Sequence, residues 1–190
     1  LNAITRRIFD CIVALTALIL ASPIVAVAAL LIKLEDGGPV FFAQRRVGRF
    51  GKLFVMYKLR TMRTGACTDA LKPSTSKDAR ITTVGRYLRK LSIDEIPQFI
   101  NVLCGDMALV GPRPEMPFIV RKYQPWQQLR HLATPGITGL WQVTSRKTIP
   151  MQHPKATALD IEYIQRSSLA TDISMLFKTV RSLISTTGVH

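Results

Sequence analysis

The chain has 190 residues, 47% of them apolar, enough for one domain with a real core and too many for a disordered chain. Lys plus Arg number 26 against 12 Asp plus Glu, a formal net charge of +14. That excess excludes an ordinary neutral enzyme surface and points to anionic partners: nucleic acid, acidic lipid head groups or phosphorylated substrates. Three cysteines, Cys11, Cys67 and Cys104, make no disulfide framework and lack metal-binding spacing, which fits a reducing cytosolic environment.

The first element is apolar. Cys11 to Ile32 is a run of 22 residues without a charge. As a straight helix it would measure about 33 Å, against a hydrocarbon core of about 30 Å. Ser22-Pro23 lies near its middle, where proline removes a helical hydrogen bond and a kink or break is expected. Ser22 can return a hydrogen bond to the freed backbone. The two arms, about 18 and 14 Å long by helical rise, are each too short to span. Both flanks are basic: Arg6 and Arg7 before the run, Lys33, Arg45, Arg46, Arg49 and Lys52 after it. Positive flanks mark the cytoplasmic side, so a helix that enters, bends at Ser22-Pro23 and leaves by the same face satisfies both observations. A kinked full span is the competing reading.

Glu35 to Pro39 reads as a turn, with Glu35-Asp36 as a solvated carboxylate pair. Val40 to Val47 and Leu53 to Thr61 read as strands joined by the turn Gly48-Arg49-Phe50-Gly51. On the second strand, period 2 puts Phe54, Met56, Lys58 and Arg60 on one face, so Lys58 and Arg60 form either a solvated edge or a phosphate site. Gly65 to Asp78 reads as a mobile polar loop. Arg80 to Leu91 reads as a basic helix with Tyr87, Leu88 and Leu91 on one side, the pattern of a helix lying at an anionic surface.

Ser92-Ile93-Asp94-Glu95 fits a capping box with Ser92 as N-cap, although Pro97 allows a later helix start. Either version leaves Asp94 at a helix N-terminus, where the dipole and nearby cations lower its pKa and desolvation opposes them. Pro112-Arg113-Pro114 holds an arginine in a stiff loop. Ala158, Ile161 and Ile164 suggest a short helix. Ile173, Leu176, Phe177, Val180, Leu183 and Ile184 form a helical stripe capped by Thr171 or Asp172, which packs on the core or lies in the membrane interface. No zincin spacing, nucleophile elbow, Walker loop or G-x-G-x-x-G occurs. From the residues alone, Asp94-Glu95 is either a structural cap or a carboxylate nucleophile with a neighbour that binds metal or tunes protonation, beside Arg89 and Arg113.

The spaced motifs Arg6-Arg7-Ile8-Phe9-Asp10, Gly38-Pro39-Val40-Phe41-Phe42, Tyr57 to Met62, Ser92 to Phe99, Gly105 to Glu115 and Pro135 to Val143 resemble the bacterial sugar transferases of the monotopic phosphoglycosyl transferase type. The resemblance implies an α+β, mainly α, fold: a re-entrant membrane helix at 11–32, amphipathic interfacial helices and a small β-hairpin. It implies one catalytic domain over residues 1–190, the catalytic part of a longer chain, as the missing Met before Leu1 also suggests. The implied reaction moves a phosphosugar from a UDP-sugar to undecaprenyl phosphate with release of UMP, initiating capsule, exopolysaccharide or lipopolysaccharide assembly. The implied nucleophile is Asp94, with Glu95 as its dyad partner and Mg²⁺ at Asp94 and Glu95. Lys58, Arg89 and Arg113 are the implied phosphate contacts. Arg146 is the implied nucleotide contact, although Thr144-Ser145-Arg146 departs from the family's Gly-Arg pattern there. The implied location is the cytoplasmic face of the bacterial inner membrane, against anionic head groups. A membrane-anchored basic module that binds nucleic acid or anionic lipid is the alternative. It leaves the dyad unexplained, and the aromatic content of 7% is low for base stacking, so no nucleic-acid partner is expected. Whether the chain forms a homodimer is left open.

Overall fold

A computed structural model describes residues 2–65, 78–145 and 148–184. It is mainly helical, with a small antiparallel hairpin and one long apolar N-terminal helix. That helix, α1 (Asn2–Asp36), has 35 residues, so it extends well beyond the uncharged run at both ends. Of the kink or break expected at Ser22-Pro23, a full break does not occur: the helix carries on through Pro23 as one element. The reason lies at Ser22. Proline at position 23 cannot donate to the carbonyl of Ile19, and Ser22 Oγ donates to that carbonyl instead, at 2.8 Å.

The hairpin pairs β1 (Phe41–Val47) with β2 (Leu53–Leu59), with Phe42 opposite Lys58 and Arg46 opposite Phe54. The connecting residues Arg49–Gly51 form a 3-10 turn. Strand β2 ends at Leu59, so Lys58 and Arg60 do not share an anion as their alternation suggested. Arg60 turns back to Asp36, with Nη1 at 2.7 Å from Oδ2 and Nη2 at 2.5 Å from Oδ1. Glu35 accepts from the backbone N–H groups of Thr83 and Val84 at 2.6 and 3.1 Å. Glu35-Asp36 is therefore a clamp at the end of α1, not a solvated turn.

Helix α2 (Thr83–Lys90) follows, capped by the Thr82 side chain. Leu88 faces the core while Tyr87 and Leu91 are exposed, so the three do not share one side. A Cβ on Gly85 would overlap the Thr61 carbonyl, so only glycine lets α2 approach the end of the hairpin this closely. Helix α3 (Gln98–Cys104) lies against β2, and Asn101, wholly buried, joins them. Its Nδ2 donates to Val55 O at 2.7 Å and its Oδ1 accepts from Tyr57 N at 3.0 Å. The short parallel pair β3 (Ala108–Val110) and β4 (Gly136–Thr138), the turns α4 (Pro117–Val120) and α5 (Leu140–Thr144), a 3-10 helix at Pro125–Leu132, and the helices α6 (Pro154–Arg166) and α7 (Leu169–Ile184) follow.

Two apolar clusters hold α1 to the rest. Phe9, Val13 and Ala14 pack with Met56, Val102, Leu109 and Met175. Val25, Ala28 and Ile32 pack with Leu59, Leu88 and Ile93. Both ends of α1 also carry polar ties. Arg7 donates to the α3 carbonyls of Val102 and Leu103 at 2.5 and 2.8 Å, a cation on a helix C-terminus. Arg6 Nε reaches Asp172 Oδ2 on α7 at 2.8 Å, and Tyr163 OH donates to Asp172 Oδ1 at 2.6 Å.

That network corrects the readings of the last two helices. Asp172 is buried and does not cap α7; Ser168 and Thr171 exchange the capping hydrogen bonds. The face of α7 turned inward carries Asp172, Met175 and Leu176, leaving Ile173, Phe177 and Val180 exposed. On α6 the buried residues are Ala156, Thr157, Asp160 and Tyr163, because Asp160 and Tyr163 have polar partners inside. The loop expected over Gly65 to Asp78 falls, at residues 66–77, outside the described residues.

Candidate active site

Asp94 and Glu95 sit in a 3-10 turn, Ile93–Glu95, between α2 and α3. The capping box does not form. Ser92 adopts a left-handed backbone (φ 56°) and makes no side-chain cap, and α3 starts at Gln98 with Pro97 before it. Asp94 therefore stands four residues ahead of the helix rather than at its first turn. Freed from capping, Glu95 points into the domain. Its Oε1 accepts from Lys58 Nζ at 2.8 Å and from Arg113 Nη2 at 2.6 Å. The Asn101 bonds place β2, and so Lys58, beside this turn.

Arg113 is held in turn. Arg130 Nη2 donates to the Arg113 carbonyl at 2.8 Å and to Asp160 Oδ2 at 2.5 Å, while its Nη1 reaches Tyr123 OH at 2.5 Å. Buried ion pairs with this many hydrogen bonds fix geometry more than they add stability. Arg89 comes from α2; its Nε donates to Thr61 Oγ1 at 2.8 Å and its charge faces Asp94. The structure thus brings together Asp94, Glu95, Lys58, Arg89 and Arg113. Arg146 lies outside the described residues.

The two carboxylates are not equivalent. Burial disfavours ionised Glu95, but Arg113 and Lys58 outweigh it and hold the group well below the usual carboxylate range. Arg113, itself pushed up by Glu95, keeps that hold even where burial erodes the charge on Lys58. Asp94 is buried too, and burial raises its pKa; Lys58 opposes this and Glu95 adds to it. The lowered pKa expected from a helix dipole is overturned, because Asp94 is not on a helix and the strongest cations are spent on Glu95. Among the described residues the Asp94 carboxylate makes no side-chain hydrogen bond.

Two parts of the site were missed in the sequence. Arg46 shares its strand face with Gln44, donates to Gln44 Oε1 at 2.6 Å and to Pro114 O at 3.2 Å, and feels both Arg113 and Glu95. Period 2 within β1 and the hairpin register place it on the face of Lys58, a signal hidden by counting it as a membrane flank. Glu115 is buried among Arg130, Arg46 and Arg113, and no local pattern announces that.

No cluster of three His, Cys, Asp or Glu occurs among the described residues. The donor set does not fit a dedicated metal cage. It does fit a Mg²⁺ ion of the kind held by one or two carboxylates and completed by substrate phosphates.

A profile of the family described as bacterial sugar transferase matches residues 1–186. The chain is 39% identical over 198 residues to a UDP-N-acetylgalactosamine-undecaprenyl-phosphate N-acetylgalactosaminephosphotransferase of Aeromonas hydrophila, covering 99% of this chain and 45% of that protein. It is 40% identical over 192 residues to a UDP-glucose:undecaprenyl-phosphate glucose-1-phosphate transferase of Caulobacter vibrioides, covering 97% of this chain and 72% of that one. It is 34% identical over 205 residues to the exopolysaccharide production protein ExoY of Sinorhizobium fredii, covering 100% and 90%. The chain therefore spans less than half of the first relative and nine-tenths of the last. It belongs to the bacterial sugar transferase family.

Proposed function

We propose that this bacterial sugar transferase moves a phosphosugar from a UDP-sugar to undecaprenyl phosphate, releasing UMP, by way of a covalent Asp94 intermediate. The observation that carries the reading is the division of labour in the dyad: Glu95 is committed to Lys58 and Arg113, while Asp94 has no side-chain hydrogen bond among the described residues and faces cations. The names of the relatives support the donor and acceptor classes.

In the first half-reaction an oxygen of ionised Asp94 attacks the β-phosphorus. The bond from that phosphorus to the bridging oxygen breaks, and UMP leaves with the electron pair. In the second, a phosphate oxygen of undecaprenyl phosphate attacks the same phosphorus and releases the Asp94 carboxylate. Arg89, Arg113 and Lys58 neutralise the phosphate charge that builds up in each transition state. Bound Mg²⁺, held by Asp94 and Glu95, would supply further charge neutralisation at the diphosphate. One cationic pocket serves both substrates in turn, so ping-pong kinetics follow.

The anchor is read as re-entrant, on the cytoplasmic face of the inner membrane. A helix of 35 residues is about 52 Å long, and its two ends are tied to the same domain, at Arg6-Arg7 and at Glu35-Asp36. A domain on one side of a bilayer cannot hold both ends of a spanning helix. Between those ends Leu15, Ile19, Leu20 and Ile24 are exposed, as lipid contact requires. On α2, Tyr87 and Leu91 are also exposed beside the basic Arg86 and Lys90, and on α7 Phe177 and Val180 are exposed.

Mass spectrometry of protein quenched with UDP-sugar, without lipid acceptor, tests the chemistry. A phosphosugar adduct on Asp94 is expected, absent in Asp94→Asn, which should fold normally and not turn over. Kinetics that require both substrates bound at once, with no adduct, would overturn the covalent route.

A further inference from the structure

The loop that carries Arg113 is short of donors. Pro112 and Pro114 have no N–H to give, so the main chain there is fastened chiefly through its carbonyls. Four consecutive carbonyls are held, each by a donor from elsewhere in the chain. Pro112 O accepts from Gly136 N on β4 at 2.9 Å, and Glu115 O accepts from Val47 N on β1 at 2.9 Å. Between these, Arg113 O accepts from Arg130 Nη2 at 2.8 Å and Pro114 O from Arg46 Nη1 at 3.2 Å. The outer two donors are backbone groups of strands. The inner two are arginine side chains.

Both arginines lie in the field of one buried carboxylate. Glu115 is 2% exposed, and the cations acting on it are Arg130, Arg46 and Arg113. Its Oε1 takes no hydrogen bond among the described residues, so it serves as a shared counter-charge rather than as the partner of one guanidinium. Arg130 is fixed a second time, by Asp160 Oδ2 on α6 and by Tyr123 OH, each at 2.5 Å. The proline rings set φ on either side of Arg113, and the held carbonyls set the rest of the loop. Arg113 then reaches Glu95 at 2.6 Å from a main chain that is fixed before any substrate arrives. A guanidinium placed in this way needs no reorganisation when charge builds up on a phosphate.

We propose that Arg130 and Arg46, with Glu115 as their common counter-ion, form a positioning unit for Arg113, fixing its main chain so that its guanidinium meets the substrate phosphate in one place. This rests on the reading of Arg113 as a phosphate contact in a UDP-sugar transferase. The unit acts through Arg113 and not on the reacting atoms, so it has nothing to act on once the Arg113 guanidinium is gone.

The test is a double-mutant cycle in the detergent-solubilised chain. Arg130→Lys keeps the charge but loses the fork that serves Tyr123, Asp160 and the Arg113 carbonyl together. Glu115→Gln keeps the shape and removes the counter-charge, and it replaces Arg130→Lys if circular dichroism shows that variant unfolded. Each change is made in the wild type and in Arg113→Met, which keeps the stem and drops the guanidinium. Arg130→Lys should lower kcat/KM for the UDP-sugar about tenfold in the wild type and less than about twofold in Arg113→Met. UDP binding, measured by calorimetry and independent of turnover, should weaken in the same non-additive pattern. A role in stability alone would act equally in both backgrounds. Equal losses in the two backgrounds, or no loss in the wild-type background from either variant, overturn the positioning unit. UMP release with additive losses keeps the transferase reading and overturns the unit. Non-additive UDP binding in a chain that releases no UMP from any UDP-sugar keeps the unit and overturns the transferase reading. A folded wild type that neither binds UDP nor releases UMP overturns both.

Discussion

At the residue scale the informative contrast is between two adjacent carboxylates. Glu95 stays ionised because two cations bond one of its oxygens; Asp94 resists ionisation because it is buried beside that charge. Asp94 must lose its proton to attack, and its pKa is raised, so the active form appears at higher pH than for a free aspartate. The acid limb of kcat/KM for the UDP-sugar should therefore lie above about pH 3.9, the ordinary aspartate value. Glu95→Gln removes the negative neighbour and releases Lys58 and Arg113 toward Asp94. The acid limb should then move to lower pH while turnover falls severely, because the two cations lose their fixed positions. A pH–rate series on the wild type and the variant checks both the direction and the fall; a limb that moves up in Glu95→Gln contradicts this electrostatic account.

At the element scale two short contacts decide where long pieces go. Ser22 repairs the hydrogen bond that Pro23 removes, so α1 passes through its proline intact. Ser22→Ala leaves the Ile19 carbonyl unpaired where lipid offers no donor, and should destabilise the folded chain by about 1–2 kcal/mol, read from denaturation in detergent. Gly85 plays the other part. A Cβ there meets the Thr61 backbone, which cannot yield as a side chain would. Gly85→Ala should cost about 1–3 kcal/mol through overpacking. It should also impair catalysis beyond that loss, because α2 carries Arg89 and Arg89 is positioned through Thr61. Thermal melts paired with initial rates separate the two effects.

At the scale of the whole molecule, α1 is a strap fastened at both ends. Arg6 and Arg7 bind α7 and α3, and Glu35 and Asp36 bind α2 and the end of the hairpin. With cysteine introduced at Asn2 and at Lys33 in separate variants, an impermeant reagent applied to intact cells should label neither, and both should label in inverted vesicles. Labelling from opposite sides would show a full span. Pro23→Leu removes the ring that clashes with the preceding turn, so it should shift the population toward that opposite-side pattern.

Much of this protein was legible in its sequence wherever the governing physics is local. Alternation placed both hairpin strands to within two residues at each end, an uncharged run announced the long apolar helix, and Ser22-Pro23 announced its own repair. The scarcity of carboxylates singled out Asp94-Glu95 because adjacent charges can be read directly. Tertiary structure alone decided what those groups do. The capping box competes with Lys58 and Arg113, residues 37 and 18 positions away, and the ion pairs win. On α7, Ile173, Phe177 and Val180 face outward while Leu176 packs inward, because the inner face is set by Asp172, which has Arg6 and Tyr163 as partners 166 and 9 positions away. Periodicity reports which residues share a face, but which face turns inward depends on partners that only folding brings within hydrogen-bond reach.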